Sequence, residues 1–293
     1  MNPREIAVNI LDEVLYKDGY SNSILNKELN KNAIDSKDKG LITEIVYGTL
    51  KHKYSIDKDI QLYLERNLSA VDKHILNILR ISFYQINYLD KVPEYAILNE
   101  AVEMAKKYKT GLQGFVNGVL RNHLRKKLKY SPVNKIEELS YKYSFEPWMT
   151  RLFVNQYSIN TVEEILRGLN YNPLMTLRVN SLKTNFNEAF DELKAMDYDI
   201  VEGKLSPDAL HIRKGSNIED NPLFRKGWIT VQDESAMMVT EVLSPKAHDV
   251  VLDLCAAPGG KSTHAAELMG NKGKIYSFDI YENKLKKIKI FPC

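Results

Sequence analysis

Val250-Val251-Leu252-Asp253-Leu254-Cys255-Ala256-Ala257-Pro258-Gly259-Gly260-Lys261-Ser262-Thr263 is the stretch on which the fold of this chain turns. Four apolar residues around an Asp read as a short buried strand, and Pro-Gly-Gly makes a tight turn. Ser262-Thr263-His264-Ala265-Ala266-Glu267-Leu268-Met269 then opens as a helix. Strand, glycine turn and helix together bring backbone N–H groups and a helix N-terminus close to a ligand. The chain ends 30 residues after Thr263, sooner than a doubly wound sheet of roughly five or more strands requires. The expectation is therefore an α/β domain of which only the start is present.

The spelling of the turn separates its candidate ligands. Cys255 to Ser262 approaches a phosphate-wrapping G-x-x-x-x-G-K-[ST] loop, but Cys255 stands where the first Gly belongs, which counts against an NTPase. The dinucleotide spacing G-x-G-x-x-G is also absent, because the two glycines are adjacent. Lys274-Ile275-Tyr276-Ser277-Phe278-Asp279-Ile280 alternates like a second strand, and Asp279 lies 20 residues beyond Gly259. At that spacing an acidic side chain takes the ribose hydroxyls of a nucleoside. A nucleoside cofactor without a pyrophosphate fits best, which points to S-adenosylmethionine. Asp253 is expected to hold the loop by accepting its N–H groups. Lys261 at a helix start is electrostatically unfavourable and gains nothing structural, which points to function.

Leu254-Cys255-Ala256-Ala257-Pro258-Gly259-Gly260-Lys261, preceded by Val231-Gln232-Asp233-Glu234-Ser235-Ala236, resembles the cofactor motif of the Sun-type RNA cytosine methyltransferases. An eight-residue word is far more specific than a lone glycine motif. Leu177-Arg178-Val179-Asn180-Ser181-Leu182-Lys183 resembles the small RNA-facing module that precedes the cofactor domain in that family. The front of the chain is similar to the antitermination factor NusB at Val46-Tyr47-Gly48-Thr49-Leu50, at Leu79-Arg80-Ile81 with Tyr84-Gln85, and at Phe115-Val116-Asn117-Gly118-Val119-Leu120-Arg121. A NusB-like domain ahead of the methylase marks the bacterial enzymes of small-subunit ribosomal RNA. The resemblance covers nearly the whole chain. It implies S-adenosylmethionine held by Cys255, Ala256, Ala257, Pro258, Gly259, Gly260, Lys261 and Asp279, with small-subunit ribosomal RNA as the partner. It does not make Cys255 a nucleophile.

At 293 residues the chain is long enough for two domains or so, and its 44% hydrophobic content is that of a globular protein. No apolar run is long enough to cross a bilayer, and the first residues do not read as a signal peptide. Two Cys exclude a disulfide framework, six scattered His offer no zinc spacing, and the expected compartment is the cytoplasm. No metal and no obligate protein partner are expected. The net charge of +3 says less than its distribution.

Residues 1 to about 130 read as successive helices. Asn2 caps the first, with Pro3 at its first position and Glu5 reaching back. Apolar stripes follow at Ala7, Ile10, Leu11, Val14 and Leu15; at Leu41, Ile42, Ile45 and Val46; and at Ile75, Ile78, Leu79 and Ile86. Two more run through Ala101, Val102 and Ala105, and through Phe115, Val116, Val119 and Leu120. On the last helix Arg121, Arg125 and Lys129 share a face at i, i+4 spacing. Spacing alone leaves two readings: a phosphate-backbone contact, or cations gathered at a helix C-terminus by the macrodipole. The resemblance implies the first.

After Ser131-Pro132 a helical connector is expected, with helices at 148–157 and 162–169. Strands at 175–179, 209–212 and 228–231 around a helix at 187–196 form a small α/β unit of the RNA-recognition-motif kind. Arg178 and Asn180 project from one strand face and Lys183 follows at its exit. These three are candidate RNA contacts, and the competing reading makes Arg178 an interface salt bridge. The expected architecture is thus an all-α NusB-like bundle (1–132), a connector with an RRM-like α/β module (133–235), and the start of a Rossmann-like methyltransferase domain (236–293).

Carbon 5 of cytosine is a poor nucleophile until a thiolate adds to carbon 6. The family supplies two cysteines for this, one in an Asp-x-Pro-Cys motif, downstream of where this chain stops. Phe291-Pro292-Cys293 lacks the Asp and follows Asp279 too closely, so no catalytic residue is assigned. Two readings remain: an interrupted methyltransferase that is catalytically incomplete, or a NusB-like RNA-binding module without catalysis.

Overall fold

The computed structural model describes residues 2–17, 19–31, 34–215 and 218–280, together with Glu282 and Lys284. The chain divides into two compact units, Met1–Tyr171 and Asn172–Cys293.

The first unit is helical. Helix α1 (Pro3–Tyr16) starts where expected, with the Asn2 side chain accepting the Arg4 N–H at 2.9 Å. Glu5 does not close a capping box; it takes the Lys107 ammonium at 2.6 Å instead. Then come α2 (Ser21–Lys31), α3 (Ser36–Lys51) and α4 (Lys53–Gln61). Helix α5 (Lys73–Tyr88), capped by Asp72, is buried on every side from Ile75 to Gln85, the mark of a central helix. Around it lie α6 (Glu94–Tyr108) and α7 (Gln113–Lys126), and one apolar core joins α1, α3, α5, α6 and α7. Buried Arg80 on α5 is paired rather than solvated. The Arg80 guanidinium forks onto Asp57 at 2.7 and 2.8 Å and also donates to Tyr16 and Asn77. Helices α8 (Lys135–Tyr143), α9 (Pro147–Val154) and α10 (Ile159–Leu169) share a smaller core of Leu139, Val162 and Leu166. Tyr141 ties α8 to α4, its hydroxyl donating to Asp59 at 2.6 Å and its carbonyl accepting from Ser55 at 2.5 Å. The connector read from the sequence therefore packs with the bundle.

The second unit opens with β1 (Met175–Val179), α11 (Phe186–Ala195), β2 (Asp199–Glu202), β3 (Ala209–Lys214), α12 (Pro222–Lys226) and β4 (Ile229–Val231). The order β2-β3-β1-β4 with antiparallel pairing is the βαββαβ ferredoxin-like arrangement that RNA-recognition motifs also use. Strand β2 was not anticipated from the sequence. Leu177 and Val179 enter the module core with Leu193, Ile200, Leu210 and Ile229. Thr176 and Arg178, on the opposite face of β1, are buried too.

What buries that second face is the following segment: α13 (Glu234–Leu243), β5 (Val250–Asp253), α14 (Gly260–Leu268) and β6 (Lys274–Ser277). Strands β5 and β6 pair in parallel, Val250 opposite Lys274 and Asp253 opposite Ser277. The expectation of a buried strand at 250–254 holds on one face only. Val251 is half-buried, whereas Val250 and Leu252 are 67% and 59% exposed, beside exposed Tyr276 and Phe278. Among the described residues no helix is long and apolar enough to cross a membrane.

Candidate functional site

The parallel pairing of β5 and β6 brings Asp253 and Asp279 to the same end of the sheet, with the 255–261 turn hung between them. Asp253 accepts the Cys255 N–H at 3.2 Å with one oxygen and the Ser262 hydroxyl at 2.7 Å with the other. It thereby links the end of its own strand to the first turn of α14. Asp279 accepts the Ala257 N–H at 3.2 Å, and the Ala256 N–H donates to the Phe278 carbonyl at 2.9 Å. Gly259 has φ 119°, a left-handed conformation that glycine adopts without strain, and this conformation directs the chain into α14. Helix α14, with Gly259 at its N-cap, begins without a side-chain cap hydrogen bond, and the Asp253 carboxylate at Ser262 is the side-chain anion at its first turn. Lys261 is half-buried beside it, and the Cys255 thiol is exposed. An open cavity of about 330 Å³ adjoins the turn, lined by Val239, Leu243, Leu252, Leu254, Cys255 and Lys261 among others. Every turn residue singled out in the sequence lies in this one locality.

The three candidate RNA contacts of the module part company. Arg178 is fully buried, and all five of its N–H groups are used. Nε and one Nη hydrogen fork onto Glu267 at 3.0 and 2.7 Å. The others go to the Thr263 hydroxyl at 3.0 Å, the Gly260 carbonyl at 2.9 Å and the Gln232 side-chain oxygen. No donor remains for RNA, so the RNA-contact expectation for Arg178 is corrected to the interior salt bridge. Asn180 is buried as well, donating to the Gly227 carbonyl at 3.0 Å and accepting the Leu182 N–H at 3.0 Å, so it shapes two turns rather than facing a ligand. Only Lys183 reaches solvent; its ammonium lies 3.3 Å from the Lys226 carbonyl.

Burial works against both partners of the polar layer on α14. It raises the Glu267 carboxyl above its ordinary range in spite of Arg178, and together with Arg178 it lowers His264 to about 4. His264 is therefore neutral at pH 7.

Gln232-Asp233-Glu234 forms a structural clasp whose role the sequence reading did not assign. Asp233 caps α13 by accepting the Ser235 N–H at 2.9 Å. One Glu234 oxygen takes the N–H groups of Lys204, Leu205 and Ser206 at 2.7, 2.8 and 3.2 Å, and the other meets His211 at 2.8 Å. Burial opposes the Glu234 charge, but these bonds outweigh it and hold the carboxyl below its usual range. The sequence signals for it are the resemblance across Val231–Ala236 and an acidic pair at a strand-to-helix junction.

On α7, Arg121 and Arg125 are exposed, each bonded to an Asn of its own helix, Asn117 and Asn122. Lys129 does not continue their face. The helix ends at Lys126, Lys127 turns left-handed at φ 46°, and the Leu128 N–H donates to the Tyr63 hydroxyl at 2.8 Å. Lys129 is nonetheless exposed, and none of these cations forms an ion pair with a carboxylate among the described residues. No group of three or more His, Cys, Asp or Glu among the described residues is placed to hold a metal.

Comparison with known proteins places three family models in succession along the chain, the second of them crossing from the helical unit into the α/β module. The NusB family model matches residues 1–125, the model of a Methyltr_RsmF/B-like ferredoxin-like domain matches 145–219, and that of the 16S rRNA methyltransferase RsmB/F matches 240–290. The chain is 37% identical over 289 residues to the probable ribosomal RNA small subunit methyltransferase B of Bacillus subtilis (strain 168), covering 98% of this chain and 64% of that protein. It is 32% identical over 289 residues to ribosomal RNA small subunit methyltransferase B of Proteus mirabilis (strain HI4320), covering 98% of this chain and 67% of the relative. Among solved structures, the crystal structure of PH0851 superposes with a TM-score of 0.76 at 28% identity, over 99% of this chain and 66% of that one. The chain thus spans 64–67% of the length of these curated relatives. With a NusB-like helical unit, a ferredoxin-like module and a partial methyltransferase domain in succession, and 32% identity to a relative covered over 67% of its length, the chain belongs to the ribosomal RNA small subunit methyltransferase B family.

Proposed function

We propose that this chain binds S-adenosylmethionine at the 255–261 turn and holds small-subunit ribosomal RNA for methyl transfer to carbon 5 of a cytosine. The observation that carries the reading is the pair of carboxylates, Asp253 and Asp279, at one end of a parallel strand pair beside an uncapped helix N-terminus. The donor set fits the cofactor. A carboxylate at the second strand end suits ribose hydroxyls, and a helix N-terminus without a side-chain cap suits the carboxylate of an amino-acid tail. When bound, the cofactor supplies an electrophilic methyl group. Asp279 orients the nucleoside, Asp253 keeps the turn in shape through Cys255 and Ser262, and Lys183 with the α7 cations offers contacts for phosphates. Activation of carbon 5 calls for a thiolate at carbon 6. Cys255 is not assigned that role, and Cys293 lies outside the described residues.

Calorimetry of the chain with S-adenosylhomocysteine tests the reading. Asp279→Ala should lower affinity by roughly 10- to 100-fold, the worth of a charge-assisted hydrogen bond. Equal affinity in the variant would refute the ribose assignment. Absence of binding by the unaltered chain, together with retained RNA binding, would favour the second reading, an RNA-binding module without catalysis. The exposed cations Arg121 and Arg125 of α7, which meet no carboxylate among the described residues, are the observation that speaks for that alternative.

A further inference from the structure

We infer that Arg178 is a positioning residue for the cofactor turn, acting from the ferredoxin-like module through the Gly260 carbonyl. The inference rests on the cofactor reading of that turn. Gly260, Thr263 and Glu267 lie at i, i+3 and i+7 of α14 and so present one face to β1. A single guanidinium touches all three, at 2.9, 3.0 and 2.7 Å. The same group also meets Gln232, the residue that leads from β4 into the Asp233 cap of α13. One side chain thus fixes the first two turns of α14 against a central strand of the module, and Gly260 is the residue at which the turn becomes helix.

The arrangement is costly if its only purpose is cohesion. Burying a charge pair gains little over apolar packing of the same volume, and an unsatisfied member is strongly destabilising. Geometry is what a planar five-donor fork adds over apolar contact, because it defines direction as well as distance. Two residues along the same face, Asn180 pins Gly227, so the last residues of β1 and its exit tie the cofactor turn and the Lys183 turn to one rigid strand. Arg178 touches no substrate in this role; it sets where the 255–261 backbone lies.

The test compares the full chain with Arg178→Lys, which keeps a cation opposite Glu267 but has one nitrogen and cannot reach Gly260, Thr263 and Gln232 as well. Three readouts are needed: thermal melting, S-adenosylhomocysteine affinity, and amide hydrogen exchange across 255–268 without cofactor. The expected result is roughly tenfold or greater loss of affinity and roughly tenfold faster exchange confined to 255–268, with melting shifted by only a few degrees. A merely cohesive Arg178 would lower the melting temperature and speed exchange through the whole module together. That outcome, or wild-type exchange at 255–268, overturns the inference. Should Arg178→Lys not fold, Glu267→Gln, which leaves the shape and removes the anchoring charge, must show the same confined increase. If the unaltered chain binds no S-adenosylhomocysteine, the cofactor reading fails, and the exchange data still decide whether Arg178 positions the turn.

Discussion

Gly48 shows how much one missing methyl group can carry. It lies on α3, where a Cβ would stand 1.9 Å from the Tyr84 ring of α5. That ring is held in place, being buried, bonded to Glu44 and stacked on Tyr88. Gly48→Ala should therefore destabilise the helical unit by about 1–3 kcal/mol, the usual penalty of overpacking, visible as a lower denaturation midpoint. An unchanged midpoint would mean that the ring moves freely. His123 on α7 makes a second residue-scale prediction. It stacks on Phe83, faces the Asn87 oxygen at 3.0 Å and lies 3.3 Å from the Tyr63 hydroxyl, a neutral-imidazole arrangement. Burial, with help from Lys127, lowers its pKa from 6.5 to about 4. The unfolded state thus binds the proton first. The stability linked to His123 is complete above pH 6.5 and is lost as pH falls towards 4. His123→Phe, which keeps the stacking, should flatten the stability profile of the first unit between those values. A profile as steep as that of the unaltered chain would place the titration elsewhere.

Among the elements, α7 is the one on which the RNA reading can be weighed. Its exposed Arg121 and Arg125 have no carboxylate to neutralise them among the described residues. Reversal of both to Glu should weaken ribosomal RNA binding and reduce the salt dependence by about two phosphate contacts. Affinity unchanged at low and high salt would return the cluster to the macrodipole explanation. Lys129, beyond the helix end, should contribute independently of these two. The elements also show what a sequence makes legible. Helices α1, α3, α5, α6 and α7 each bury a periodic apolar stripe and could be read directly. Helix α2 buries only Leu25, and α4, which follows α3 after the single residue His52, buries only the short pair Ile56 and Ile60 in the main core, so neither offers a long stripe. Strand β2 is four residues long, with a register shift at Asp199/Ile200 that breaks its alternation. The site followed the same logic. Asp253 and Asp279 were readable because local chain order places them, whereas Arg178 meets Glu267 across 89 residues, a pairing no local pattern encodes.

At the scale of the whole molecule, apolar surface is unevenly distributed. Val250, Leu252, Leu254, Tyr276, Phe278 and Ile280 are all more than half exposed and follow each other along one side of the β5–β6 pair. A contiguous apolar face on a sheet of two strands among the described residues favours self-association. Leu252→Thr combined with Tyr276→Thr should lower concentration-dependent association, as read by light scattering, without altering the helical signal of the first unit. Association unchanged in the double variant would place the sticky surface elsewhere. The guanidinium at the heart of the second unit offers a quieter signature. Hydrogens held in five interior bonds trade slowly with water, so the side-chain nitrogen resonances of Arg178 should persist in a nuclear magnetic resonance spectrum under conditions that erase those of solvent-facing arginines. One labelled amino acid would then give a resident beacon for the join between module and cofactor helix, bright when it is closed and dark when it has come apart.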